Sequence, residues 1–217
     1  MKKSVYSVVL ADNVIEKIDR LAYMQSTNRS NMINQILAEY VSLVTPEKRI
    51  SNIFDELARH LYSGDVFSEL SPPTSSVMNV RTALSYKYNP TVRYSIELFR
   101  EPGGEQGVIR VSTRTSNSVL LEKLLHFFGL WTQIESEYGF EGESCFENGV
   151  FRRPIIHRRN PHAVLKSKNG ASAAELLAEY ISLFDSSMKT YFANTSGAVR
   201  QIEAAYADYI RNNREII

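Results

Sequence analysis

The chain lacks the features that would mark it for export, for a membrane or for a thiolate metal centre. Its single cysteine, Cys145, cannot build a disulfide framework or a multi-thiolate zinc site, which fits a reducing compartment. No apolar run approaches the ~18 residues of a membrane span. The opening MKKSVYSVVLADN is too short in apolar residues for a signal peptide before charge returns. A cytoplasmic location and no membrane partner are therefore expected. Neither sign of charge prevails: 25 Lys and Arg stand against 24 Asp and Glu, a net charge of +1, so any nucleic-acid surface has to be a local patch. Repeats of solenoid period and low-complexity tracts are missing. So are a Walker loop, a dinucleotide-binding glycine pattern, a nucleophile elbow and a zinc-protease helix motif. No enzyme, catalytic residue or cofactor is indicated.

What is present divides in two. A length of 217 residues suits one small module plus one medium domain. Residues 4 to 10, SVYSVVL, are largely β-branched or aromatic and end at Ala11-Asp12-Asn13, a helix-start signal, which predicts a short strand. Val14, Ile18, Leu21 and Ala22 then recur at helical spacing up to Gln25. After the break at Ser26-Thr27-Asn28, with Asn28 as a cap, Met32, Ile33, Ile36, Leu37, Tyr40, Val41 and Val44 form an apolar stripe too wide for so small a unit to bury alone. A third helix is predicted from Thr45, a cap, and Pro46, a first-turn residue, to about Tyr62. The serine- and proline-rich stretch 63 to 76 reads as a linker, giving a module over 1–44, a connecting helix and linker over 45–76, and a second domain over 77–217.

The second domain reads as α+β. Segments 77–88, 91–100 and 107–114 are separated by turn residues and predict an antiparallel three-stranded meander, with Gly103-Gly104 as hairpin chemistry. Val92, Tyr94, Ile96 and Leu98 alternate with Arg93, Ser95 and Glu97, so one face should be covered. The cover is a helix over about 117 to 138, apolar almost all round through Phe127, Phe128 and Trp131. Residues 139 to 171 read as irregular. Ser172-Ala173-Ala174-Glu175 is a capping box that opens a helix, and a last helix over roughly 196 to 212 packs on it as an α-hairpin.

A strand of seven residues, a helix of about fourteen, a three-residue turn and a second helix at the N-terminus resemble the ribbon-helix-helix repressors of the Arc, MetJ and CopG type. The resemblance covers residues 2 to 44. Independent physics agrees, because a lone strand has no partner in its own chain and about 40 residues cannot bury enough surface to fold alone. Dimerisation answers both needs: two strands pair antiparallel into a ribbon over interlocked helix pairs. Tyr6, Val8 and Leu10 then face the dimer core with Val14, Ile18, Leu21, Ile33, Ile36 and Leu37.

The resemblance implies a homodimer that inserts its ribbon into the major groove of double-stranded DNA, with Val5, Ser7 and Val9 on the groove face. Two valines offer only apolar contact, most naturally to thymine methyl groups, where relatives carry hydrogen-bonding residues; Ser7 is the single polar reader. Lys2, Lys3 and the start of the second helix, Asn28, Arg29 and Ser30, would hold phosphates. Relatives often have glycine in the preceding turn, and Ser26 or Thr27 stands there at a conformational cost if a positive φ is needed. A transcriptional repressor or a plasmid or phage maintenance protein is expected, its C-terminal domain serving oligomerisation or binding a small-molecule or protein effector. The runner-up is an interaction scaffold that keeps the ribbon only to dimerise. The plain alternative makes residues 1–44 an ordinary strand and helix pair inside one larger core.

The remaining candidates lie further along the chain. The basic run from Arg152 to Lys168 reads either as a solvated loop or as a secondary phosphate patch of Arg152, Arg153, Arg158 and Arg159. His157, His162 and Cys145 lack the spacing of a metal site, so none is expected. His60 and His126, beside apolar residues on predicted helices, read as core or interface histidines.

Overall fold

The computed structural model describes residues 5–41, 43–100, 104–156, 172–193 and 196–212. Among these the chain forms six helices and one six-stranded sheet, a mixed α+β architecture. The helices are α1 (Asp12–Met24), α2 (Arg29–Tyr40), α3 (Pro46–Leu61), α4 (Ser118–Glu137), α5 (Ala173–Phe192) and α6 (Ala198–Asn212). The strands are β1 (Ser68–Ser71), β2 (Val77–Ala83), β3 (Thr91–Leu98), β4 (Glu105–Thr113), β5 (Cys145–Glu147) and β6 (Val150–Ile156). The sheet order is β1-β2-β3-β4-β6-β5, and every pairing is antiparallel.

Helix starts follow their side chains. Thr45 Oγ1 accepts the Lys48 N–H at 3.2 Å with Pro46 in the first turn, Asn117 caps α4 at 3.1 Å, and Ser172 Oγ accepts the Glu175 N–H at 3.1 Å. Each cap satisfies one of the donors a helix start leaves open. Strand β3 shows the expected alternation: Val92, Tyr94, Ile96 and Leu98 are buried, while Arg93 is exposed and Ser95 and Glu97 are half-buried.

The sheet is wider than the three-stranded meander read from sequence. β1 and the buried Phe67 lie inside the stretch that reads as a linker. Four residues, Ser-Glu-Leu-Ser, carry too little apolar pattern to announce a strand, and pairing with β2 creates it. β5 and β6 fill part of the stretch read as irregular, and their hairpin turns at Asn148 (φ +52) and Gly149 (φ +78). In β6 the sequence Arg152-Arg153-Pro154 hides the strand, because a charge on the core side and a residue without an N–H both argue against one. Gly107 stands where β4 crosses β3: a Cβ there would lie 2.1 Å from the Glu97 carbonyl oxygen, so only glycine permits the approach.

One large core joins α3, α4, α5 and α6 to a single face of the sheet. Phe128 stacks on Phe151 of β6 at 4.7 Å, and Phe184 of α5 meets Trp131 edge-on at 5.0 Å. Aromatic pairs at these separations add to area burial. Helix α3, read from sequence as a connection, places Ile50, Phe54, Leu57 and Leu61 in this core. A second, much smaller cluster of Ile18, Ala22 and Met32, with Leu10 and Ile33 against it, belongs to α1 and α2 alone.

Candidate nucleic-acid interface

The α1–α2 pair is held by three local devices. Helix α1 ends in a Schellman motif, in which the Thr27 N–H reaches the Ala22 carbonyl at 2.9 Å and the Ser26 N–H reaches Tyr23 at 3.1 Å. Ser26 takes the left-handed conformation, φ +49, at the turn where the sequence left a positive φ in question. Asn28 then caps α2, its Oδ1 accepting the Asn31 N–H at 2.9 Å. Finally Arg29 of α2 donates to both carboxylate oxygens of Asp19 on α1, from Nε at 2.7 Å and Nη2 at 2.6 Å.

This last contact changes the role read for Arg29. Its guanidinium is exposed beside the exposed Asn28 and Ser30, as a phosphate clamp requires, but its Nε–Nη2 edge is already taken by a carboxylate. The hydrogen bond from Arg29 holds the Asp19 carboxyl below its ordinary value. A phosphate would have to compete with Asp19 for these two donors or take the remaining Nη1 side, whose charge Asp19 already offsets. A carboxylate ten residues earlier gives no warning in the spacing, because it meets Arg29 only after the helices fold back.

Residues 5 to 10 lie outside every helix and strand of the described chain. Among the described residues, then, the strand read over residues 4 to 10 has no partner strand and is not formed. Val5 and Val9 are 99% and 100% exposed, with Tyr6 and Val8 close behind. Of the residues read as dimer core, Ile18 is buried, Leu10 and Ile33 are half-buried, and Val14, Leu21, Ile36 and Leu37 stay exposed beside Tyr40 and Val41. Five basic residues stand against four acidic ones over residues 1 to 44. Lys2 and Lys3 lie outside the described residues.

The module meets the rest of the chain across a cleft of about 580 Å³ instead of a dry core; Gln25, Gln35, Glu39, Lys48, Asn52 and Thr74 are among its walls.

The secondary basic patch does not form as read. Arg153 is 1% exposed, on the core face of β6, where its Nε donates to Glu135 Oε1 at 2.9 Å and its guanidinium lies between the rings of Phe140 and Tyr180. Arg152, on the opposite face, pairs with Glu105 at 2.7 Å. Alternation along a strand makes the division unavoidable, since neighbours point to opposite faces. Arg158, Arg159, His157 and His162 lie outside the described residues. His60 and His126 are exposed on α3 and α4, so neither is a core histidine. Cys145 is an exposed free thiol, and among the described residues no three His, Cys, Asp or Glu side chains gather as a metal site would need. No described helix is long and apolar enough to cross a membrane.

Most of the buried polar groups form two networks. Glu135 Oε1 also accepts from Tyr180 Oη, which in turn accepts from Trp131 Nε1 at 3.0 Å. Asp185 accepts from Tyr94 Oη at 2.9 Å and from Lys189 at 2.6 Å, and Lys189 donates on to Thr82 at 2.8 Å. Burial raises the Asp185 carboxyl pKa against the opposing pull of Lys189 and Tyr94. The first network is enclosed in the core, and the second reaches the surface at Lys189, which is half-buried. No protein-family model, no curated protein and no solved structure matches the chain.

Proposed function

We propose that the chain is a DNA-binding regulator whose N-terminal module works as a homodimer of ribbon-helix-helix type, two copies of residues 4 to 10 pairing into a ribbon that enters the major groove. The observation that carries this reading is an incomplete unit: a β-prone segment with no partner strand among the described residues leads into two helices whose Val14, Leu21, Ile36 and Leu37 lie exposed beside a three-residue core. So small a cluster cannot offset the ordering entropy of some 40 residues, whereas a second copy would supply both the missing strand and the missing cover.

In the pairing proposed, Tyr6, Val8 and Leu10 turn inward, and Val5, Ser7 and Val9 face the bases. The groove face then reads mainly methyl groups, and affinity comes from phosphates met by Lys2, Lys3 and the α2 start. The α+β domain serves assembly or a partner. Two features favour the scaffold reading as runner-up: the apolar ribbon face and the Asp19 carboxylate already seated on Arg29.

Mass measurement in solution at micromolar concentration, with a salt titration of binding to duplex DNA, separates the readings. A dimer is expected that Leu37→Asp converts to monomer, with affinity for DNA falling steeply as salt rises. A monomeric wild type sinks the ribbon, and a dimer that binds no duplex at low salt leaves the scaffold.

A further inference from the structure

The helices of the large core all gather on one face of the sheet, and the opposite face carries an arginine stripe. Arg81 of β2 is the direct cross-strand neighbour of Arg93 on β3, and Arg110 of β4 is the direct neighbour of Arg152 on β6. The two pairs join diagonally: Arg93 faces Ser112 while Ser95, two residues on, faces Arg110. The stripe therefore crosses four adjacent strands, about 14 Å at the usual strand spacing. Asn79, Ser95 and Ser112 lie on the same face and add donors between the cations.

Like charges placed directly opposite in a sheet repel, so two such pairs in one stripe are costly unless an anion lies over them. Arg110 and Arg152 are partly answered by Glu97 and Glu105, each at 2.7 Å. Arg81 and Arg93 are exposed with no carboxylate in reach among the described residues; Arg81 donates only to Ser68 Oγ at 3.2 Å.

We infer that this face is a second, sequence-independent contact for duplex DNA, with the arginine stripe laid along the phosphate backbone. Its length suits a run of phosphates and not a single anion. Guanidinium groups with interspersed hydroxyl and amide donors are the chemistry that phosphates accept from. The stripe carries no aromatic side chain, so it offers no platform for unstacked bases, which favours the backbone of a duplex over a single strand. The contact is separate from the ribbon and needs no sequence reading.

The test uses the full chain and a labelled duplex of arbitrary sequence, with affinity measured between about 50 and 200 mM salt. Arg81→Ala with Arg93→Ala should flatten the slope of log affinity against log salt by about 0.9 for each phosphate that the variant no longer neutralises. Arg59→Ala, a cation of α3 off this face, should leave it unchanged. The same flattening is expected in the Leu37→Asp background, so failure of the ribbon and failure of the sheet face are read separately. An unchanged slope in the double variant, an equal flattening with Arg59→Ala, or no duplex binding at low salt overturns the proposal. Polyglutamate of matched charge displacing the duplex at equal concentration would overturn it in favour of an acidic protein partner.

Discussion

Asp19 and Arg29 close the α1–α2 corner through a two-pronged contact, Nε and Nη2 each on its own carboxylate oxygen at 2.7 and 2.6 Å. The pair ties α2 to α1 at the turn, and it also occupies one edge of the guanidinium at the α2 start. Asp19→Asn should release that guanidinium. The expected outcome is tighter, more salt-sensitive binding to duplex DNA, the slope steepening by about 0.9 for each Arg29 that takes up a phosphate. An unchanged slope would remove Arg29 from the interface. The pH dependence has a definite sign. Because Arg29 lowers the Asp19 carboxyl, the pair's contribution is complete above the unfolded carboxylate value of about 3.9 and is lost as pH falls through the lower folded value. Between neutrality and about pH 5 the pair stays closed, so wild-type binding should show no Asp19-dependent change there.

Ser26 carries the Schellman turn with φ +49, a conformation that costs an ordinary L-residue about 1–2 kcal/mol. Glycine removes that strain but gives back part of the gain through a freer unfolded chain, about 0.5–1 kcal/mol. Ser26→Gly should therefore stabilise the module by roughly 0.5–1 kcal/mol in urea unfolding. Thr27→Gly, beside the left-handed position, should not. A destabilised Ser26→Gly would mean that its side chain holds the turn.

The helices were legible because their signals are local: Thr45 and Ser172 each act within three residues of the N–H they receive. Strand β3 was legible for a similar reason, its alternation being complete between Val92 and Leu98. What escaped depends on neighbours distant in sequence. β1 becomes a strand only against β2, and the burial of Arg153 makes sense only once Glu135, eighteen residues earlier on α4, is beside it. The candidate sites follow the same division. Asn28 could be placed as a cap, but the seating of Arg29 on Asp19 and the alignment of Arg81 with Arg93 follow from helix folding and strand register, which composition does not carry.

The Arg153–Glu135 pair tests how far the core depends on an interaction of that kind. Both side chains are 1% exposed, and Glu135 Oε2 has no hydrogen-bond partner among the described residues, so the pair already bears an unmet desolvation cost. Glu135→Gln leaves a guanidinium in the core with its counter-charge gone. Removing one partner of such a pair costs about 3–5 kcal/mol, which should appear as a lower urea midpoint with an unchanged slope. Glu135→Leu combined with Arg153→Met removes both charges at similar volume and should recover most of that stability, because an apolar pair has no desolvation to repay. The rings of Phe140 and Tyr180, 3.9 and 4.2 Å from the guanidinium carbon, would still pack on the methionine stem. If the double variant is as unstable as Glu135→Gln, the stabilisation comes from the stacked guanidinium itself and not from its balance with Glu135.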